Sequence, residues 1–203
     1  MHIEFLLEEP SAEAAMKHLV PRILGPQVEP RFIHHQGKQD LLLKLPDRLR
    51  AYARWLPRDW RIVVLVDEDR EDCHEIKSRL QQAASHAGLH TVPSPGSGGC
   101  IQVVNRIAIE ELEAWFFGDA QAIVAAYPDV PLSLGTRAKY RNPDAISGGT
   151  WESLERVLKK AGYYSAGMPK IEVADRIGKH MDPQRNTSKS FQVFRDALRR
   201  LTA

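Results

Sequence analysis

The sequence predicts an α/β fold, with a central, largely parallel sheet flanked by helices and a helical annex at its C-terminal end. Three observations carry this expectation. Strand-like and helix-like segments alternate through the first half of the chain. The run RIVVLV at 61–66 holds an unbroken apolar, mostly β-branched stretch, as a strand buried on both faces of a parallel sheet requires. After Pro128 strand signals stop and only helical periodicity remains. A chain of 203 residues, 43% apolar and 27% charged, is long enough for one such domain and an annex. We place the boundary there, with 1–128 as the α/β domain and 129–203 as a basic annex packed on it.

The elements follow in order. Residues 2–7 read as a strand, and Ala12, Ala15, Leu19 and Ile23 form the apolar stripe of the helix after it. Residues 31–35 read as a second strand. Residues 40–56 are helical in pattern, and Pro46 is expected to break that helix or to begin a new one. The strand 61–66 leads into a helix over 71–87, with Cys73, Ile76, Leu80, Ala83 and Ala87 on one stripe. The stretch PSPGSGG at 93–99 is a connector by composition and lacks the spacing of a phosphate-binding glycine loop. Residues 101–108 give a strand, 109–117 a helix, and 151–161, 171–180 and 190–201 the helices of the annex. Trp115, Phe116 and Phe117 are expected to fill the core, Asn186, Ser188 and Ser190 to cap the last helix, and His74 and His180 to lie at the surface.

Composition excludes several classes. No apolar run is long enough to cross a bilayer, so no membrane partner is expected. Glu4, Glu8, Glu9 and Glu13 do not fit a signal peptide. With two cysteines and no CxxC pair, neither a disulfide framework nor a zinc site is expected, and a reducing cytoplasm is the default setting. The net charge of +2 hides an asymmetry. Residues 1–136 hold 14 Lys/Arg against 19 Asp/Glu, and 137–203 hold 14 against 7. An acidic body with a basic tail suggests a cation site beside a polyanion-binding surface.

Three groups of carboxylates stand where a strand hands over to a helix: Glu8, Glu9 and Glu13; Asp67, Glu68, Asp69, Glu71 and Asp72; and Glu110, Glu111 and Glu113. In a parallel sheet these positions share the carboxyl edge, where ligands bind. Helix capping and the helix dipole account for Glu68, Glu71, Asp72 and Glu110. They account less well for Asp67 and Asp69, which follow a buried strand directly. Ionised carboxylates crowded there repel one another, and a hard divalent cation is the economical remedy. The turn HHQGK at 34–38 offers Lys38 and loop amides to phosphate. Arg137, Lys139, Arg141, Lys170, Lys179 and Lys189 suit a nucleic-acid backbone.

A Glu after the first strand with a DxD after a later apolar strand resembles the TOPRIM fold of topoisomerases, primases and the overcoming-lysogenization-defect nucleases. Here LEEPSAE at 7–13 stands in place of the usual Glu-Gly turn, Glu9 replaces its Gly, and Asp67-Glu68-Asp69 is the DxD. More closely, the chain resembles an uncharacterised bacterial TOPRIM-like family. Its members carry RIAxxELEAWF-GD and a late N-x-S-x-SF, here residues 106–119 and 186–191. The resemblance implies that Asp67 and Asp69 bind Mg²⁺ or Mn²⁺, with Glu8 a further ligand or the acid/base. Glu13 is a further catalytic candidate, and Glu111 and Glu113 are candidates for a second metal. It implies a nuclease acting on DNA before RNA, in a phage-defence setting beside an ABC-type or AAA ATPase. The alternatives are a receiver-like module, against which the VDEDRED crowd at 66–72 speaks, and a degenerate TOPRIM interaction module that does not cleave.

Overall fold

The period-2 alternation of the strand residues sorts this molecule into layers. In the computed structural model, which describes residues 1–91 and 100–202, four parallel strands form one sheet: β1 (His2–Leu7), β2 (Glu29–His34), β3 (Trp60–Asp67) and β4 (Val103–Ala108). Their spatial order is β2-β1-β3-β4. Ile3, Phe5, Leu7, Val63, Leu65 and Val104 point to one face, and Leu6, Ile62, Val64, Val66 and Val103 to the other. Both faces are buried, which explains why β3 is apolar almost throughout.

The second face is covered by α2 (Lys38–Ala53) and α3 (Cys73–His86), through Leu41, Leu45, Leu49, Ile76 and Leu80. The first face is covered by α1 (Pro10–Leu24) and by elements from the rest of the chain. These are α4 (Leu112–Gly118), α5 (Ala120–Ala126), α6 (Thr150–Lys160), α7 (Lys170–Gly178) and α8 (Lys189–Thr202), with three short 3-10 turns between 134 and 145. The helices after residue 128 therefore share one core with the sheet. Gly178 lets α7 approach closely, since a Cβ there would lie 3.2 Å from the Ala15 Cα of α1. Arg22 of α1 reaches across to the end of α7, donating to the carbonyls of Gly178 (2.7 Å) and Met181 (2.9 Å).

Several expectations shift. Pro46 neither breaks nor starts a helix, because α2 runs through it. A proline inside a helix costs about 3 kcal/mol. Burying Leu41, Leu42, Leu45, Leu49 and Tyr52 on the same helix outweighs that several-fold, at roughly 1.5–3 kcal/mol per large apolar side chain. The helix expected over 109–117 begins only at Leu112, with Glu110 in the left-handed region at φ 61°. On α3 the buried stripe is Ile76, Leu80 and Ala84, with Ala83 and Ala87 at its margin. Trp115, Phe116 and Phe117 are core residues, and His74 and His180 are exposed. The connector expected at 93–99 lies outside the described residues. No helix among the described residues is long and apolar enough to cross a membrane.

Candidate functional site

Strand order reverses between β1 and β3, and the crevice beyond the carboxyl ends of those two strands is where open α/β sheets bind ligands. Glu8 follows β1 and Asp67 ends β3, so both stand in that crevice. The Asp67 amide donates to Glu8 Oε2 (3.0 Å), which ties the two strand ends together. Glu8 is buried at 8% exposure. Burial pushes its pKa up, against the Asp67 amide that lowers it, and Asp69 adds to the rise.

Asp67 is more strongly perturbed. Burial, then the charges of Glu8, Glu113 and Asp69, hold its carboxyl well above the ordinary carboxylate range. Glu113, in the first turn of α4, is 5% exposed. Its pKa is pushed up to about 7, first by burial, with Lys170 opposing and Glu111 and Glu9 adding to the rise. Asp67, half-buried at the end of β3, thus feels the charges of acids from the two neighbouring strand-to-helix junctions.

The loops that deliver them are stitched together. Glu68 N–H donates to the Ala108 carbonyl (2.9 Å) and Asp69 N–H to the Glu110 carbonyl (2.7 Å). Glu110 N–H in turn donates to Glu68 Oε2 (3.1 Å). Asp69 and Glu110 both adopt positive φ, 53° and 61°. Outside glycine that conformation is uncommon, and here the cross-loop bonds hold it in place.

Lys38 is one of two cations at the site, Lys170 beside Glu113 and Glu9 being the other. The Lys38 side chain is 5% exposed and its Nζ lies 2.7 Å from Asp69 Oδ2 and 3.2 Å from Glu71 Oε1. It also donates to the Glu68 carbonyl (2.9 Å). Burial alone would lower its pKa, but the bonds to Asp69 and Glu71 outweigh that and hold it above the usual lysine range. Lys38 is therefore spent on carboxylates rather than presented to a phosphate, a pairing that sequence spacing gives no way to foresee.

Other candidates fall elsewhere. The Glu13 carboxylate is taken by Lys17 (2.7 Å) and by His34 (2.6 Å) at the end of β2. One oxygen of Glu111 accepts from Thr150 Oγ1 and the Trp151 amide, both at 2.8 Å, so it caps α6 across the crevice. Asp72 caps α3 by accepting from the His74 amide (2.7 Å). With Cys73 and His74 it forms a group whose ligand atoms lie within 4.8 Å of one another, and the cap accounts for their closeness. Lys170 sits at the start of α7, 3.5 Å from Glu9 and 4.9 Å above the Trp151 ring. Arg137, Lys139 and Arg141 lie exposed on the 3-10 segment.

The two sequence motifs that carried the family resemblance meet each other. Asn186 Nδ2 donates to the Trp115 carbonyl (2.7 Å), Trp115 Nε1 to Ser190 Oγ (2.7 Å), and Thr187 N–H to the Gly118 carbonyl (2.9 Å). Ser188 Oγ accepts from the Phe191 amide (3.1 Å) as the cap of α8. Asp119, fully buried, accepts two bonds from Arg185 (2.7 and 2.8 Å) and one from the Asp182 amide (2.8 Å). A Cβ on Gly118 would meet Asn186 Oδ1 and come within 2.9 Å of the Ser188 amide. Gly118→Ala is accordingly expected to cost about 2 kcal/mol of stability, read as a lower urea midpoint at unchanged slope.

Comparison with curated proteins and with solved structures finds no match for this chain. A family profile does match, over residues 7–200, nearly the whole sequence. The chain therefore belongs to the family described as "Domain of unknown function (DUF4276)".

Proposed function

We infer that the protein is a divalent-metal-dependent phosphodiesterase acting on nucleic acid. The observation that carries this reading is the placing of Glu8, Asp67 and Glu113 just after the neighbouring strands β1, β3 and β4, with Asp67 feeling the charges of the other two and each pKa raised. Acids that repel one another, two of them buried, are costly to a protein that has no use for them. The oxygens of Glu8, Asp67 and Glu113 do not all come within 4.8 Å of one another as they stand, so holding an ion would take side-chain rotation; the donor type, carboxylate oxygen throughout, suits a hard cation. Glu8, Asp67 and Glu113 would hold it, with Asp69 beside them and held by Lys38. Such an ion supplies electrostatic stabilisation of the charge that develops on a phosphodiester during cleavage. The chain's own part is to orient: the Asp67 amide fixes Glu8, and backbone bonds tie the segment after β3 to the segment after β4 that leads to Glu113. Arg137, Lys139 and Arg141 supply positive charge for a backbone. An ABC-type ATPase partner and a defence role enter only through the resemblance to TOPRIM-like nucleases.

The test is a plasmid-nicking assay with Mn²⁺ or Mg²⁺, run with and without a co-encoded ATPase. Wild type is expected to nick with metal and not with EDTA, and Asp67→Asn to lose both nicking and calorimetric Mn²⁺ binding. Equal Mn²⁺ binding in Asp67→Asn moves the site elsewhere. Absence of nicking under every condition favours the non-cleaving interaction module instead.

A further inference from the structure

Tyr140 is the feature of the basic segment that surface charge does not explain. Its ring lies parallel to that of Phe117, with centroids 4.7 Å apart and planes at 13°. Phe117 is buried in α4 at 2% exposure, so the stack fixes Tyr140 rigidly against the body of the protein. The half-buried Tyr140 borders two cavities. One, of about 710 Å³, also meets Arg141 and Arg185. The other, of about 290 Å³, also meets Arg137, Arg156 and Lys160. The acids in these linings are Asp119, already bound by Arg185, and Asp129, which accepts from the Tyr163 hydroxyl (2.9 Å). Cations therefore outnumber anions on both sides of the aromatic plate, and Lys139 Nζ lies 5.7 Å over the Tyr140 ring, so a base would enter by displacing that exposed, flexible side chain.

We propose that Tyr140 stacks an unpaired base of a single-stranded nucleic acid whose phosphates pass over the flanking arginines and Lys160. This rests on the phosphodiesterase reading and names the form of its substrate. A duplex buries its base faces in its own stack and offers side chains mainly phosphate, so a fixed ring between cationic cavities gains nothing from it. A single strand offers π-faces and phosphates alternately, and aromatic plates in basic grooves bind it with little regard to sequence. Phe117 follows Glu113 by four residues on α4, one helical turn, so the stack adjoins the helix that carries Glu113.

Fluorescence anisotropy with labelled oligothymidylate, and with its duplex with oligoadenylate, tests this in EDTA at two salt concentrations. Binding is then read with cleavage switched off, so failure of the nuclease reading and failure of this one are separate results. Wild type is expected to bind the single strand more tightly than the duplex. Tyr140→Leu, which keeps an apolar contact on Phe117, is expected to weaken single-strand binding about ten-fold and leave duplex binding unchanged. Tyr140→Phe is expected to bind as wild type. Arg137→Gln with Lys160→Gln, both at exposed positions, should weaken binding and flatten its salt dependence. Undiminished binding by Tyr140→Leu or by the double charge variant overturns the proposal, as does a preference for duplex or no binding at all.

Discussion

Glu113→Gln is expected to stabilise the metal-free protein at about pH 8, the reverse of what most substitutions at a buried position do. The unfolded chain releases the Glu113 proton near 4.5, whereas the folded protein holds it to about 7. Between those values the folded state binds the extra proton, so stability falls as pH rises through the window and levels off above it. At about 1.4 kcal/mol per pH unit the loss comes to roughly 3.5 kcal/mol, and at 5% exposure solvent screens little of it. Gln carries no proton to lose. Its melting temperature in EDTA should exceed that of wild type by roughly 8 °C at about pH 8, and the two should converge at about pH 5. Asp67 and Glu8 act in the same direction, since burial raises both. Mn²⁺ should then raise the melting temperature of wild type and do much less for the variant, because a ligand stabilises only the state that binds it. A variant that melts below wild type at the higher pH would mean that Glu113 is held as a needed anion.

Trp115→Ala should have the largest cost of any single change in the core. The ring is fully buried, lies 4.9 Å from Phe194 and 5.2 Å from Phe191, and donates to Ser190. Truncating such a residue costs about 4 kcal/mol, or roughly 12 °C in a domain of this size. Trp115→Phe keeps an aromatic ring and loses the hydrogen bond. Ser190 Oγ still has Ser188 (3.1 Å) and Asp144 (3.0 Å), so this variant should lose only about 1 kcal/mol. Chemical denaturation of the pair separates packing from hydrogen bonding. Equal losses would mean that the indole N–H, not the ring, holds α8 to α4.

Much of this was legible in the chain. The β-branched run at 61–66 could only be a strand covered on both faces, and Ala12, Ala15, Leu19 and Ile23 could only be one side of a helix. Glu8 and Asp67 could be placed on the same edge because parallel strands put all their carboxyl ends together. What escaped depends on partners distant in sequence. Glu111 looks like a free first-turn acid until Thr150 and Trp151, some forty residues on, are brought against it. Lys38 looks like a phosphate ligand until the loop after β3 closes over it. Pro46 reads as a break only if the packing of α2 is ignored. The late N-x-S-x-SF motif was readable as a helix cap, but not as the socket for Trp115.

The shared core has a consequence for how the protein is made. A ribosome adds about 5–20 residues each second, so the segment beyond residue 128 emerges over roughly 4–15 s after the sheet-forming half. Throughout that interval the apolar side of α1 and the edge strand β4 lack the cover that α7 and α8 later provide. The nascent chain must wait with one side of its sheet incompletely dressed. A stop codon that removes α8 would make the wait permanent, leaving a chain suited to aggregation or to chaperone capture rather than a smaller working domain.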